Sequence, residues 1–202
     1  MKRIVLRAAI VLVVAAAGLC GALGGACAQD WVLNSGVSHF YMQTAKADSI
    51  VETGQFTKLD GTISKDGDAK IVLDLSSVAS GIDVRDTRMR FLLFETYKFP
   101  NAEITAKVDM AKLQELQTVT RITYPLKFTL AMHGMAKDFE APVFVTRLSP
   151  GSVAVVTAKP IVVTAESFGM TEGIAKLSAA VNGTPIVSAA SITFDLVFDA
   201  KK

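Results

Sequence analysis

Residues 76–100, SSVASGIDVRDTRMRFLLFETYKFP, form the stretch of this sequence that decides the fold. The stretch neither alternates like a strand nor resembles a plain turn, whereas the segments on both sides of it alternate as β-strands do. Asp83 has a side chain suited to a helix cap, and Met89, Leu92 and Leu93 recur at the spacings of one helical face. The stretch therefore predicts one short amphipathic helix inserted into an otherwise β chain, where it would plug or lid a barrel.

The flanking strands are recognised by alternation of apolar and polar side chains. In the clearest one, apolar residues from Ala102 to Met110 occupy every second position, which is the pattern of a half-buried strand. Further segments with this period are 122–132 and 192–198 and, more weakly, about 32–43, 54–64, 70–75, 139–147, 153–159 and 161–164. Turn residues at 65–68, 133–134 and 149–151 imply antiparallel neighbours. About eight such strands can bury their apolar faces and hide their edges by closing into an antiparallel barrel.

The first 28 residues have the organisation of an export signal. Basic residues precede an apolar run over 8–17, and small residues follow up to Ala28, so cleavage is predicted after Ala28. We therefore predict a signal peptide over 1–28, a single domain over 29–202 and a location in the periplasm.

Removal of this leader changes both the cysteine content and the charge. Both cysteines, Cys20 and Cys27, lie within it, so the mature chain has no thiol and no cysteine ligand for zinc. The leader also carries three of the 21 basic residues, which leaves 18 against 19 acidic ones. A near-neutral chain argues against nucleic-acid binding, which needs a basic face.

Combinations of side chains that support catalysis or metal binding are scarce. The only histidines, His39 and His133, fall on polar positions of predicted strands. Without cysteine they cannot form the usual zinc site unless carboxylates join them. The sequence contains no nucleophile elbow and no phosphate loop. We therefore predict no catalytic residues, no metal site and no enzymatic activity.

A series of short motifs extends from Trp31 to Phe198 and so spans nearly the whole predicted domain. The motifs are Trp31, Ser38, Gly54-x-Phe56 with Gly61-x-Ile63, Val72 to Val78 with Gly81 and Arg85-Asp86, Phe94 to Pro100, Leu130 to Gly134, and Ser167 to Met170. In their order and spacing they resemble the YceI family of periplasmic lipid-binding proteins.

The resemblance implies a lipocalin-like barrel whose elongated cavity takes a polyisoprenoid chain, such as a quinone or a polyprenyl lipid, with no enzymatic reaction. No cofactor is expected apart from such a bound lipid. Some members sit beside cytochrome b561-type membrane proteins and members are often dimeric, so transient contact with a membrane or such a cytochrome, and a homodimer, are further expectations. The sequence departs from the family motifs at Val37, Ala131 and Ser167, where members have histidine, threonine and aspartate. These departures affect polar contacts at the cavity mouth more than the fold.

Apolar side chains on the predicted inner faces and on the helix would line such a cavity. Each methylene group taken out of water contributes about 0.8 kcal/mol, so an apolar wall suffices to bind a lipid tail. A packed core without a hollow is the alternative interpretation for every one of these residues. The predicted lining is Phe56, Met89, Leu92, Leu93, Phe94, Phe99, Ile104, Phe128, Met132, Phe139, Phe168 and Met170.

Arg85, Arg88 and Arg90 lie beside the apolar face of the predicted helix. Arg85 and Arg88 are candidate contacts for a lipid head group, because a guanidinium binds phosphate and polarises carbonyl oxygen. For Arg88 and Arg90 the alternative is a solvated helix face. Arg85, next to Asp86, would instead fix the helix to the barrel.

Two other classes of protein share this pattern. A small outer-membrane barrel would present its apolar residues to lipid. Against it, the sequence contains a helix foreign to that architecture, and the residues that could supply aromatic girdles are only Trp31, Tyr41, Tyr97 and Tyr124. A protein-binding module would have a packed, ligand-free barrel and an exposed strand edge as its working surface.

Overall fold

The computed structural model describes residues 29–47 and 49–201, and most of them form β-strands. The predicted signal peptide and both cysteines lie outside the described residues. The strands are β1 (Trp31–Leu33), β2 (His39–Lys46), β3 (Ile50–Phe56), β4 (Leu59–Ile63), β5 (Asp68–Asp74), β6 (Val78–Ala79), β7 (Asn101–Lys107), β8 (Arg121–Met132), β9 (Met135–Ser149), β10 (Ser152–Thr157), β11 (Ile161–Thr164) and β12 (Ala189–Ala200).

Eight of these strands close a barrel in the order β1-β4-β5-β7-β8-β9-β10-β12, because β12 pairs again with β1. The pairings around the barrel are antiparallel. The remaining strands lengthen the wall at one end: β2 and β11 pair with the first half of β12, and β3 and β6 continue from β2. The predicted eight-stranded antiparallel barrel is confirmed.

The alternating sequence directs apolar side chains to the inside of the barrel. Along β8, Phe128 and Leu130 are buried, whereas Pro125 and Lys127 are exposed. Along β12, Phe194 is buried in the same way. Successive residues of a strand point to opposite faces, so one apolar face per strand builds a common core.

A short interruption between β1 and β2 is stabilised by Ser38. This side chain is buried, and its hydroxyl oxygen accepts a hydrogen bond from the backbone N–H of Val197 at 2.9 Å. Both β1 and β2 pair with β12, and Val197 lies between the two paired segments of β12. The Ser38 hydroxyl therefore supplies the acceptor that the Val197 N–H lacks at the gap between β1 and β2. Ser38 therefore completes the barrel wall.

The helices in the described residues are α1 (Asp83–Arg88), α2 (Met110–Glu115) and α3 (Thr171–Ala180); α1 continues into a wider π-helical turn over Met89–Leu93, and single 3₁₀ turns cover Leu75–Ser77 and Glu166–Phe168. The predicted insertion corresponds to α1 and the π-helical turn. Its start differs from the prediction, because Ile82 occupies the cap position and no side chain caps the helix. Neither α2 nor α3 was predicted. No helix in this part of the chain combines the length and the apolarity needed to cross a membrane.

α3 packs against the π-helical turn through a glycine. Gly173 is buried, and a Cβ atom at this position would lie 2.8 Å from the carbonyl oxygen of Leu92 and 3.0 Å from Cα of Leu93. Only a residue without a side chain permits this approach. α1, the π-helical turn and α3 therefore form one helical layer.

Asp74 ends β5 and caps the 3₁₀ turn that follows. Its Oδ1 accepts hydrogen bonds from the backbone N–H of Ser76 at 2.8 Å and from the Ser76 hydroxyl at 2.5 Å. Partial burial acts to raise the pKa of Asp74, but the Ser76 hydrogen bonds and the Lys58 ammonium together outweigh it, and the pKa lies below its ordinary value.

We expect Asp74→Ala to lower the free energy of unfolding by about 1 kcal/mol, the usual effect of losing a cap. Because the folded-state pKa is depressed, this contribution is present above the unfolded-state pKa and is lost as the pH falls through the folded-state pKa. The free energies of unfolding of the wild type and Asp74→Ala are measured in urea at neutral pH and at about pH 2, below the ordinary aspartate pKa of about 3.9. The difference between the two proteins should be smaller at about pH 2. Asp66→Ala, in an exposed turn, is the matched control. A difference that does not change with pH would contradict a role for the carboxylate charge.

Candidate functional site

A cavity of about 310 Å³ lies inside one end of the barrel. Its wall combines residues of β2, β3, β5, β7, β8, β11 and β12 with residues of the helical layer, which closes it on one side. The volume is at the lower end of the range for small-molecule sites, about 300 to 1,000 Å³. The helical insertion therefore covers a hollow, as the sequence predicts.

The π-helical turn sets the side chains that the helical layer presents to this cavity. The backbone N–H of Phe94 donates to the carbonyl oxygen of Met89 at 2.9 Å, five residues back. Met89, Leu93 and Phe94 all line the cavity, and Ile174 and Leu177 of α3 line it beside them. Insertion of one extra residue in a helix turn recurs at functional sites. Here it brings both ends of the turn onto the cavity wall.

Half of the predicted lining residues lie on the cavity wall. The six that do are Phe56, Met89, Leu93, Phe94, Met132 and Met170. The six that lie away from it are Leu92, Phe99, Ile104, Phe128, Phe139 and Phe168. As contacts of a ligand, all twelve stay predictions.

An aromatic stack accounts for three of the residues away from the cavity. Phe128 and Phe139 are opposite one another in the β8–β9 pairing, with ring centroids 5.4 Å apart. Phe139 in turn stacks on Phe168 at 6.5 Å, and Phe168 is completely buried. Ile104, opposite Leu130 in the β7–β8 pairing, is buried as well. Ile104 and Phe168 pack the core, whereas Phe128 and Phe139 also border a second, more open space along β5, β7, β8 and β9 whose other lining is largely polar.

The other half of the barrel is filled with apolar side chains. Val143, Val153 and Leu196 are at most 2% exposed and belong to the core, and none of them lines the cavity. Trp31 on β1 and Phe198 on β12 are also buried, in the half of the barrel that lies away from the cavity. The cavity therefore has a floor part of the way along the barrel.

Charged side chains gather at one part of the cavity wall, which we call the mouth: Lys46, Glu52, Arg85 and Arg88. Glu52 Oε1 lies 2.5 Å from Lys46 Nζ and 2.5 Å from Arg85 Nη1. These ion pairs join the β2–β3 hairpin to α1. A carboxylate shared by two cations in a partly buried position is screened less than a surface ion pair.

Ser80 connects Arg85 to a buried carboxylate. Arg85 donates from Nε to the Ser80 hydroxyl and from Nη2 to the Ser80 carbonyl oxygen, both at 2.7 Å. Asp86 accepts from the Ser80 backbone N–H at 2.9 Å and from the Ser80 hydroxyl. Arg85 is thus held by three polar contacts, including the one to Glu52.

Exposed aliphatic side chains surround the mouth. Ile82, Val84 and Val187 line the cavity and yet are about half exposed, Val84 at 55%. Residues that contact both the hollow and the solvent mark the place where the hollow opens. Exposed apolar groups around an opening are typical of binding sites.

Two parts of the site were not predicted from the sequence. The wall contributed by α3 was missed, although Ile174, Leu177 and Val181 recur at the spacings of one helical face. Glu52 was missed as well, although it lies at an inward position of β3, where a carboxylate is unusual. In both cases a signal was present in the sequence.

His133 and Glu95 meet beside Phe99, whose ring lies 4.4 Å from the imidazole. His133 Nδ1 lies 3.1 Å from the carbonyl oxygen of Phe168 and must donate to it, because a carbonyl only accepts. Nε2 of the neutral ring is therefore an acceptor. It is buried 3.3 Å from Glu95 Oε2 and has no hydrogen-bond partner among the residues described. In the neutral ring, Nε2 and the Glu95 carboxylate are two acceptors that face each other, whereas a protonated ring donates from Nε2 to Glu95 as an ion pair.

We expect Glu95→Gln to raise the free energy of unfolding by about 1 kcal/mol, because the amide can donate to Nε2 and satisfy a buried acceptor. Urea unfolding at about pH 8, where free imidazole is neutral, measures the change. Glu166→Gln, at an exposed position, should leave stability unaltered. A loss of stability in Glu95→Gln would indicate instead that His133 is protonated and forms an ion pair with Glu95.

In the described part of the chain, no group of three or more histidine, cysteine, aspartate or glutamate side chains could hold a metal ion. Fold and site together define a class: a closed antiparallel β-barrel with an internal apolar cavity that is covered by a helical layer. The particular family follows from the sequence as a whole. The family model of the YceI-like domain matches residues 31–198, and the chain belongs to this family.

Solved structures with this fold include one that is close in sequence. A polyisoprenoid-binding domain from Saccharophagus degradans, described as implicated in plant cell wall breakdown, is 31% identical with a TM-score of 0.83; the match covers 85% of this chain and 98% of that one. BcnA from Burkholderia cenocepacia is 15% identical with a TM-score of 0.64, over 82% and 98% of the two chains. The YceI protein of Campylobacter jejuni is 14% identical with a TM-score of 0.51, over 74% and 84%. The last two show the fold alone, and no curated protein matches the chain.

Proposed function

We propose that this protein binds a long apolar lipid of the polyisoprenoid class, an isoprenoid quinone or a polyprenyl lipid, with the tail inside the barrel. The observation that carries the proposal is the cavity, whose wall is mainly apolar away from the charged mouth and is covered by the helical layer. The Saccharophagus degradans domain, which is described as polyisoprenoid binding, supports the class of ligand. The proposed role is binding, without a chemical step.

The wall has the properties that a branched, irregular chain requires. Met42, Met89, Met132 and Met170 all line the cavity, and methionine adapts its shape to irregular neighbours. Ten methylene groups taken from water contribute on the order of 8 kcal/mol before the costs of ordering the chain. The tail alone can therefore supply the affinity, and the polar groups at the mouth decide which head groups are accepted.

The hollow also bears on the alternatives. A protein-binding module would pack its barrel completely, whereas this barrel is filled at one end only. A barrel embedded in an outer membrane would turn apolar side chains outward, whereas Phe128 and Leu130 point inward and Lys127 is exposed. Both observations favour a lipid held inside the barrel.

We further propose that residues 1–28 direct export and are removed after Ala28, and that the domain over 29–202 works in the periplasm. There it would sequester a lipid or carry it between membranes. The basic head, apolar run and small residues of the leader support this location. Intact mass measurement of the exported protein should give a chain that begins at Gln29, and a mass that retains the leader would contradict the proposal.

Organic extraction followed by mass spectrometry tests the lipid proposal. Protein exported by a bacterial host and purified without detergent should release about one isoprenoid lipid per chain. The Ala102→Phe variant, in which the new ring would fill the cavity, is the control for lipid carried over on the surface. Absence of lipid from the wild-type protein, together with no uptake of added farnesol, would leave the packed protein-binding module as the better interpretation.

A further inference from the structure

We propose that the bound lipid carries an anionic head group, a carboxylate or a phosphate, and that Arg88 binds it at the mouth. The inference rests on the proposed lipid-binding function and adds to it the chemical class of the head group.

The charges on the cavity wall are unequal in sign. In the described part of the chain, Lys46, Arg85 and Arg88 are cationic and Glu52 is the one carboxylate on the wall. Lys46 Nζ and Arg85 Nη1 each lie 2.5 Å from the same Glu52 oxygen, so two positive charges share one negative charge. Asp86 also compensates Arg85 through the Ser80 hydroxyl. Arg88 is therefore the cation on the described part of the wall that is left for a bound anion to balance.

Arg88 differs from the neighbouring arginines in its contacts. Arg85 is held by Glu52 and Ser80. Arg90 donates from Nε to the carbonyl oxygen of Asp86 at 3.2 Å and does not line the cavity. Arg88 is partly buried on the cavity wall and makes no hydrogen bond or ion pair with residues 29–47 or 49–201. Its five N–H donors are therefore directed at groups outside the described protein.

Occupation of the cavity changes the surroundings of Arg88. Met89, the next residue, contacts the tail region of the cavity, whereas the half-exposed Val84 marks the opening one turn earlier on the same helix. A lipid that enters tail first therefore places its head group beside Arg88. A neutral hydroxyl or carbonyl oxygen accepts hydrogen bonds from the guanidinium in place of water, but it leaves the positive charge unbalanced and does not form a bidentate pair. A carboxylate or phosphate replaces them with paired charge-assisted hydrogen bonds.

Displacement of a fluorescent apolar probe from the purified exported protein tests this inference. Two matched pairs of lipids are compared, farnesyl phosphate with farnesol and dodecanoate with dodecanol, because the members of each pair share a tail. In the wild-type protein, the anion of at least one pair should displace the probe at a concentration about tenfold lower than its alcohol does, as one paired charge-assisted contact would give. The difference should shrink between about 0.05 M and about 0.5 M NaCl, because salt screens charges.

Arg88→Gln should reduce the preference for the anion to about threefold or less, with the affinity for the alcohols within about twofold of the wild-type value. The unchanged alcohol affinity shows that the cavity is intact. Arg90→Gln is the matched control, since Arg90 lies on the same helical segment but off the cavity wall, and it should keep the full preference.

Each outcome has one meaning. A preference confined to farnesyl phosphate identifies a prenyl phosphate and supports both the inference and the polyisoprenoid class. A preference confined to dodecanoate supports the anionic head group but replaces the polyisoprenoid of the proposed function with a fatty acid. Equal displacement by anions and alcohols, or an unchanged preference in Arg88→Gln, overturns the inference while lipid binding stands. Failure of all four lipids to displace the probe contradicts the proposed function itself, and the inference with it.

Discussion

Ala102→Phe is expected to weaken the binding of an isoprenoid chain by at least about 100-fold. Ala102 is buried on β7, directly opposite Leu73 in the β5–β7 pairing, and both residues line the cavity. A phenyl ring at this position would occupy space that the lipid tail needs. Loss of contact with about four methylene groups, at about 0.8 kcal/mol each, corresponds to this change in affinity.

Probe displacement by farnesol and extraction of bound lipid both measure the effect. Ala131→Phe is the matched control, because Ala131 pairs with Glu103 on the outward register of β8 and is absent from the cavity wall. Val163→Phe, at a less buried position of the same wall, provides a second blocking variant if Ala102→Phe is poorly folded. Wild-type lipid content in either folded blocking variant would place the lipid outside the barrel.

Gly173→Val is expected to lower the free energy of unfolding by about 3 kcal/mol and to release bound lipid faster. A Cβ atom at this position would lie 2.8 Å from the carbonyl oxygen of Leu92, so the helical layer must separate to accept the larger side chain. Overpacking of this kind costs up to about 3 kcal/mol, and the better helix propensity of valine over glycine offsets only a few tenths of it. The same separation widens the cover of the cavity.

Urea unfolding measures the stability, and the rate of farnesol release measures the effect on the cover. Ala175→Val is the matched control, because Ala175 is exposed on α3 and the substitution introduces the same branched side chain. It should cost only about 0.5 kcal/mol and leave the rate of release as in the wild type. Equal losses in the two variants would mean that the helical layer adjusts freely and that Gly173 is not needed for its packing.

The barrel could be predicted because its strands carry a local signal. β8 and β12 alternate over most of their length, and a strand with one buried face must have this pattern. α3 carries a weaker signal, since Gly173 in its first turn is unfavourable for an isolated helix. The glycine is explained only by the contact that α3 makes with the π-helical turn, which no local pattern reveals.

The position of the cavity depends on packing that alternation does not describe. Leu130 and Phe128 lie two residues apart on the same inner face, yet Leu130 lines the cavity and Phe128 joins the aromatic stack. Alternation predicts which side of the sheet a residue faces, but not how far along the barrel the hollow extends. The sequence also could not separate the two candidate arginines, Arg85 and Arg88. Of these two, only Arg85 forms an ion pair with Glu52, which lies on a hairpin distant in sequence.

The filled half of the barrel makes the hollow a dead end within the described residues. A ligand cannot pass through the barrel from one end to the other, so it must enter and leave by the same mouth. The proposed lipid would enter with its tail first and would keep its head group at the opening. Under the proposed carrier role, the opening itself must then approach the recipient, and a loaded molecule differs from an empty one at that surface.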